Sequence, residues 1–458
     1  MKEFTECRRT TMEVCDYLEK TIVSSEEEKK FTPQGLKCVL ARERGFKGFS
    51  VRMLLIPESI HVVISPPACG RHGDYNVLMA GIKGRFFRIR LSEKDIVSGG
   101  AENSICKELF ELLDSMETKP KAVTLCITCI DGVLCTDYRL IGKRLKERYG
   151  VRFGIARMFP FLANSVKTHG DLLMESMYEL LEVPEDRTVR KAVNLVGHLD
   201  ATKENTDFYI VLNKAGYDVQ EIHACNTIKD YDKLGEACLN VVLNKNMVSA
   251  AEVMKTKYGI PYVEFIECMN PEQIKKNYEA VEDALGVKLE YEEYYQEACR
   301  KVSEVYEKVK NKSFALGGEV DYNPVKFAYD WCQTGFPLKY FLVNRIKKED
   351  LEYYKWIRDY APDTYLYLAT DTSMMKFIAD PDPVEFVAGV QFSLVQQLGN
   401  VSSLELGEEP YDFKTLIEEL DKIKASVESA EMNSAEKTAN QDSENKIFAR
   451  DWSTYREM

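Results

Sequence analysis

The sequence predicts an α/β protein of three doubly wound, parallel-sheet (Rossmann-like) domains with helical extensions at the N and C termini. Three observations carry that prediction. The 458 residues exceed what one hydrophobic core organises, so two to three domains are expected. Short runs of apolar and β-branched residues alternate with longer stretches whose apolar residues recur at helical spacing. Several of the short runs are continuously apolar, as strands are when helices cover both faces of a parallel sheet.

Taken in order, residues 1–30 read as an exposed helix that ends in a run of charge from Ser24 to Lys30. Strands are expected at 61–65, 122–127, 152–155, 192–196, 219–223, 239–243, 262–266, 313–316, 340–343 and 364–368. Amphipathic helices are expected between them at 137–149, 169–181, 202–215, 249–258, 272–285, 289–309, 324–333 and 348–360, with a closing helix at 410–426. Breaks near 184–190 and 310–319 suggest an N-terminal extension (1–30), a first α/β domain (31–187), a second (188–311), a third with its closing helix (312–426) and a tail (427–458). Residues 428–446 are Ser, Glu, Asn, Ala and Lys with almost no apolar content, the composition of a flexible linker.

Composition narrows the function classes. With 61 basic and 74 acidic residues the net charge is −13, which argues against nucleic-acid binding as a main role. Hydrophobic content of 45% and charged content of 29% are those of an ordinary soluble protein. No apolar run reaches the length of a membrane span, and the first residues lack a signal-peptide core, so a cytoplasmic protein without a membrane partner is expected. No GxGxxG opens a helix and no GxxxxGK[ST] occurs, so the chain is not expected to bind a dinucleotide or hydrolyse ATP itself. GxSxG and HExxH are absent too, which removes the hydrolase-elbow and zinc-protease classes.

Thirteen cysteines in a reducing compartment need a reason other than disulfides. Most are expected to be small buried hydrophobes, which leaves a few for metal ligation. The stretch Ile60-His-Val-Val-Ile-Ser-Pro-Pro-Ala-Cys-Gly-Arg-His-Gly-Asp-Tyr-Asn76 reads as a buried strand that stops at Pro66-Pro67 and delivers Cys69 to a turn. There Gly70 lets the backbone approach a ligand closely, and Arg71 and His72 follow. Other reactive residues also fall at expected strand ends, where doubly wound sheets bind ligands. Cys126 ends the second strand, His198 follows Asn194-Leu-Val-Gly197, and His223 with Cys225 closes the strand that begins at Val219.

The order Cys38, Ser65-Pro-Pro-Ala-Cys69-Gly, Glu93-Lys-Asp-Ile-Val-Ser-Gly-Gly-Ala-Glu102 and Cys126-Ile-Thr-Cys-Ile-Asp-Gly132 resembles the first domain of nitrogenase component 1 proteins. That superfamily holds the nitrogenase α and β subunits, their cofactor-assembly scaffolds, dark-operative tetrapyrrole reductases and C–S-cleaving relatives. Its pattern has a Cys six residues before a Gly, and Gly132 therefore selects Cys126 over Cys129. Asn194-Leu-Val-Gly197, Leu239-Asn-Val-Val-Leu243 with Lys257-Tyr-Gly-Ile-Pro-Tyr262, and Ala315-Leu-Gly-Gly-Glu-Val-Asp321 are similar to segments of the family's later domains, so the resemblance runs over about residues 31 to 400.

The resemblance implies that Cys38, Cys69 and Cys126 bind an iron–sulfur cluster, 4Fe-4S or P-cluster-like, at a subunit interface. Thiolates are the soft ligands such clusters take, and three need a fourth from a partner subunit, from Cys129 or Cys135, or from a non-cysteine group. Three plain core cysteines are the alternative. It further implies an ATP-dependent iron–sulfur reductase partner, a second component 1-like subunit in a homo- or heterodimer or tetramer, and an oxygen-sensitive reductase acting on a substrate or second cofactor, metal or tetrapyrrole. A non-enzymatic scaffold for building a metallocluster or modified tetrapyrrole is the alternative role. His169, in Val166-Lys-Thr-His-Gly-Asp171, falls near the family's pocket histidine and is the candidate proton donor. One departure matters: where the α subunit carries the cysteine that anchors its active-site metallocluster, this chain has Leu243 or Asn244. Neither supplies a thiolate, which argues against dinitrogen reduction; Cys225 and Cys238 lie nearby in sequence, as substitutes or as core residues.

Overall fold

Among the described residues three mainly parallel sheets form, each with its earliest parallel strand inside and later strands added on both sides. The computed structural model describes residues 8–31, 52–67, 77, 81–99, 101–128, 130, 134, 136–157, 169–197, 205–318, 323–374, 377, 382–389, 401–404, 406 and 410–448. Their strands are β1 Arg8–Thr10, β2 Ser59–Ser65, β3 Phe86–Arg90, β4 Ala122–Ile127, β5 Arg152–Arg157, β6 Ala192–Val196, β7 Asp218–Gln220, β8 Leu239–Val242, β9 Tyr262–Glu264, β10 Phe314–Leu316, β11 Tyr340–Val343, β12 Tyr365–Leu368, β13 Phe386–Ala388 and β14 Ser402–Leu404. The first sheet has the order β3–β2–β4–β5 and the second β7–β6–β8–β9. The third runs β1–β12–β11–β10–β13–β14, parallel except for β1, which pairs antiparallel with β12.

The first sheet shows why its strands read as unbroken apolar runs. Val62, Ile64, Val123, Leu125 and Ile127 face a core shared with the helices Ala101–Ser115 and Tyr138–Tyr149. The alternate residues Ala122 and Ala156 belong to a second core on the opposite face. That second core is built around the helix His169–Tyr178, through Leu173, Met174, Met177 and Tyr178. Val196 and Val242 of the second sheet and Ala250, Ala251 and Met254 of the helix Val248–Tyr258 join it. Helix termini follow capping rules: Asp137 caps Tyr138–Tyr149 through the amides of Arg139 and Leu140, and Gly150 ends it at φ 67°.

The described chain gathers into two compact units. Gly45–Glu267 with Ile274–Tyr291 holds the first and second sheets, and Met1–Arg44, Cys268–Gln273 and Glu292–Met458 hold the third. Within the first of these units the helix His169–Tyr178 packs residues of both sheets into one core. In the third-sheet unit, the helices Glu292–Val309 and Phe413–Phe448 are joined by Lys301–Asp421 and Lys424–Glu304 pairs, each at 2.6 Å.

Four further differences have plain causes. The N-terminal segment opens with strand β1 before its helix Thr11–Glu19, whose Val14, Cys15 and Leu18 are buried rather than exposed. Strand β3 was not expected; its Phe-Phe-Arg-Ile-Arg sequence puts two arginines on a sheet edge, where polar side chains are tolerated. The strand expected at 219–223 stops at Gln220 and gives way to a 3-10 turn, Ile222–Ala224. The backbone is helical through 428–446, a stretch whose Ala, Glu and Lys are good helix formers despite its polarity.

Candidate cluster and cofactor sites at the carboxyl ends of the sheets

In a doubly wound sheet, a crevice opens at the carboxyl ends of the two strands where the winding changes direction. In the first sheet those strands are β2 and β4, paired in parallel from Ser59↔Ala122 to Ile64↔Ile127. They are the strand that leads toward Cys69 and the strand that bears Cys126. Cys126 is the penultimate residue of β4, in a row with Val63 and Ala156. It is buried, and that burial pushes its thiol up from the ordinary range. A thiol so placed stays protonated until a cation displaces the proton, which a soft metal centre does.

Two residues back along the same face, His61 Nδ1 lies 2.8 Å from Thr124 Oγ1. Full burial pushes His61 down to about 3, so it is a neutral hydrogen-bonding residue at ordinary pH. Sequence reading assigned it no role, because in a strand it is one more residue of an apolar run.

In the second sheet the direction changes between β6 and β8. Gly197 follows β6 at φ 146°, and a Cβ there would stand 2.8 Å from Leu243 Cβ and 3.2 Å from the Asn244 nitrogen. Leu243 is buried and its amide donates to the Val196 carbonyl at 2.8 Å. Asn244 turns its side chain to cap the 3-10 turn Lys245–Met247, its Oδ1 accepting from the Asn246 amide at 3.0 Å. Both candidate positions for the anchoring cysteine are therefore committed to packing and capping.

Cys238 cannot substitute. It precedes β8, its Sγ donating to the Ala192 carbonyl at 3.2 Å, and it lies six residue steps before Asn244 along extended chain, about 20 Å. Cys225 does lie at the carboxyl side of its sheet, after the 3-10 turn; burial pushes it up to about 12. Beside it, His223 Nε2 is 2.6 Å from Glu221 Oε2. The third sheet changes direction between β10 and β13, where a Cβ on Gly389 (φ 101°) would meet Gly317 Cα at 3.1 Å. These glycines let adjacent strand exits approach each other closely.

His169 is the first residue of its helix, as the sequence placed it. Cys38, Cys69, Arg71, His72, Cys129, Cys135 and His198 lie outside the described residues. Among the described residues no three of His, Cys, Asp and Glu gather as a metal site, and Cys126 is the member of the cysteine set that the structure places. Its chemistry and its position on the strand rim fit a thiolate ligand of an iron–sulfur cluster. Glu221 was not singled out from sequence, because its partners Tyr209 and His223 reach it only once the chain turns after β7.

Three doubly wound sheets, with close-packed glycines at strand exits and Cys126 near the end of β4, define the class of α/β proteins whose ligand crevices lie at the carboxyl ends of the strands. Residues 46–328, more than half the chain, match the model of the nitrogenase component 1 type oxidoreductases, and the chain belongs to that family. It is 27% identical over 271 residues to the nitrogenase iron-molybdenum cofactor biosynthesis protein NifE of Clostridium pasteurianum, covering 56% of each chain. Similarity to the nitrogenase molybdenum-iron protein alpha chain of Methanosarcina barkeri is 24% over 234 residues, 48% of this chain and 42% of that one. The chain thus spans about half the length of the curated relatives it matches. The solved structure of nitrogenase Cp1 at pH 6.5 superposes with a TM-score of 0.68 at 12% identity, over 90% of this chain and 96% of that one. The fold is accordingly nitrogenase-like. Among the described residues no helix is long and apolar enough to cross a membrane.

Proposed function

We propose that the chain is a subunit of an oxygen-sensitive, nitrogenase-like reductase. It takes electrons from an ATP-dependent iron–sulfur reductase and works beside a second component 1-like subunit. Cys38, Cys69 and Cys126 hold an iron–sulfur cluster, 4Fe-4S or P-cluster-like. When bound, that cluster supplies one-electron transfer to a substrate or second cofactor other than dinitrogen. The observation that carries this reading is the placing of Cys126 at the carboxyl end of β4, beside β2. The chain's own part is positional. The strands fix the thiol, burial around it excludes water, and glycines at the second and third sheets let adjacent strand exits pack closely. His169 is the candidate proton donor at the head of its helix.

A second reading, an assembly scaffold for a metallocluster or tetrapyrrole, is favoured by two observations. Leu243 and Asn244 offer no thiolate anchor, as suits cargo that must be handed on. Six of seven matching curated relatives are nitrogenase iron-molybdenum cofactor biosynthesis proteins.

Anaerobic purification with iron and acid-labile sulfide counts and EPR tests the cluster. Cys126→Ala is expected to lose most of the iron while the protein stays folded, and unchanged iron removes the assignment. Iron-loaded protein that never oxidises the reduced partner in the presence of ATP and candidate substrates removes the reductase reading and leaves the scaffold.

A further inference from the structure

Strand β3 places an arginine on the face of the first sheet that carries Cys126. In register, Arg88 sits beside Val63, Val63 beside Cys126 and Cys126 beside Ala156, and register neighbours in a parallel sheet share a face. Two strand spacings put the Arg88 and Cys126 backbones about 10 Å apart. Phe87 and Ile89, the alternate residues of β3, pack on the opposite face with Leu109 and Leu145.

The Arg88 guanidinium reaches the exit of β2, where its Nη2 donates to the Pro67 carbonyl at 3.2 Å. Pro66 and Pro67 have no amide hydrogen, so their backbone offers only acceptors, and a side-chain donor meets one of them. Cys69 follows Pro67 by two residues, at most about 7 Å of chain. One guanidinium thus shares a face with one candidate thiolate and holds the turn that leads to another.

We infer that Arg88 is a positioning residue for the cluster: it pins the turn leading to Cys69, and its charge raises the cluster's reduction potential. This rests on the cluster reading above. A cluster in thiolate ligands is anionic and one-electron reduction makes it more so, hence a fixed cation stabilises the reduced form more than the oxidised one. At an effective dielectric constant of about 20, a unit charge about 10 Å away shifts that equilibrium about tenfold. The direction does not depend on what else the guanidinium touches, since replacing it takes one positive charge from that face.

The test is an EPR-monitored redox titration of the anaerobically purified full chain as wild type, Arg88→Gln, Arg88→Lys and Arg148→Gln. Arg148 is an exposed arginine on the helix Tyr138–Tyr149, which packs on the face opposite Cys126. Iron content and melting temperature are measured for each. At the wild-type midpoint Arg88→Gln is expected to be about tenfold less reduced, a shift of about −59 mV for one electron. Arg88→Lys, which keeps the charge, is expected to recover most of that shift, and Arg148→Gln to match wild type. An Arg88→Gln midpoint equal to wild type overturns this role and leaves the cluster reading standing. So does an equal shift in Arg88→Lys or in Arg148→Gln. Iron lost from Arg88→Gln and kept by Arg88→Lys supports the role, and iron lost from both overturns it. Wild-type protein without iron and sulfide overturns the cluster reading and this role together.

Discussion

His61 lies fully buried on the same face of the first sheet as Cys126, bonded to Thr124. Its folded value of about 3 sits far below the ordinary 6.5, because burial penalises the charged ring. Below about pH 6.5 the unfolded chain takes up a proton that the folded chain refuses. The stability this neutral histidine contributes is therefore present above about 6.5 and lost as pH falls toward about 3. His61→Asn, which keeps a polar atom near Nδ1 but does not titrate, is expected to flatten that loss by up to about 1.4 kcal/mol per pH unit. Urea unfolding at pH 7, 6 and 5 reads it, and parallel slopes for the two proteins would remove the argument. Cys126 obeys the same physics with opposite sign: burial favours its neutral thiol and pushes its titration up.

Among the elements, the turn after β6 is the most constrained. Gly197 has a left-handed φ of 146°, and any Cβ runs into Leu243 Cβ and the Asn244 amide, which belong to the next strand's exit. Gly197→Ala is expected to cost about 1–3 kcal/mol through strain, with further loss if the β8 exit shifts. Chemical denaturation measures it; a neutral outcome means that the two exits are not packed as described. Sequence marked this glycine through the Asn194-Leu-Val-Gly197 motif, yet its neighbour across the sheet is visible only in the fold. Strand β3 is the reverse case, an element that hydrophobic runs did not flag because pairing with β2, from His61↔Phe86 to Ser65↔Arg90, rather than its own composition, makes it a strand.

For the unit holding the first two sheets, one core decides the cooperativity. Arg152 at the start of β5 is only 14% exposed and grips Asp232 with both guanidinium nitrogens, at 2.6 and 2.7 Å. Asp232 also accepts from the Glu182 amide at 3.0 Å. Removing Asp232 leaves Arg152 with Glu182 at 3.2 Å and the Leu180 carbonyl at 3.1 Å but takes away its two-pronged partner, so Asp232→Ala is expected to cost about 1–3 kcal/mol. Because the helix His169–Tyr178 packs against both sheets, the loss should appear as one earlier transition. Histidine NMR signals of the first sheet and far-UV circular dichroism should move together; two separated midpoints would argue for independent domains.

Local pattern alone sufficed for much of the architecture. Continuous apolar runs marked β2, β4, β6, β8 and β11, since strand burial on both faces leaves a signature within five residues. The candidate cluster strand was marked instead by a family resemblance, carried by the spacing of Cys126 and Gly132. Tertiary structure alone decided what depends on partners distant in the chain. It merged two sheets around one helix, tied β1 to β12 across more than 350 residues, and committed Asn244 to a cap. It also closed Glu221 onto Tyr209 and His223. Periodicity records how a residue is buried, whereas which side chain it meets is set only when strands from distant parts of the chain are brought into register.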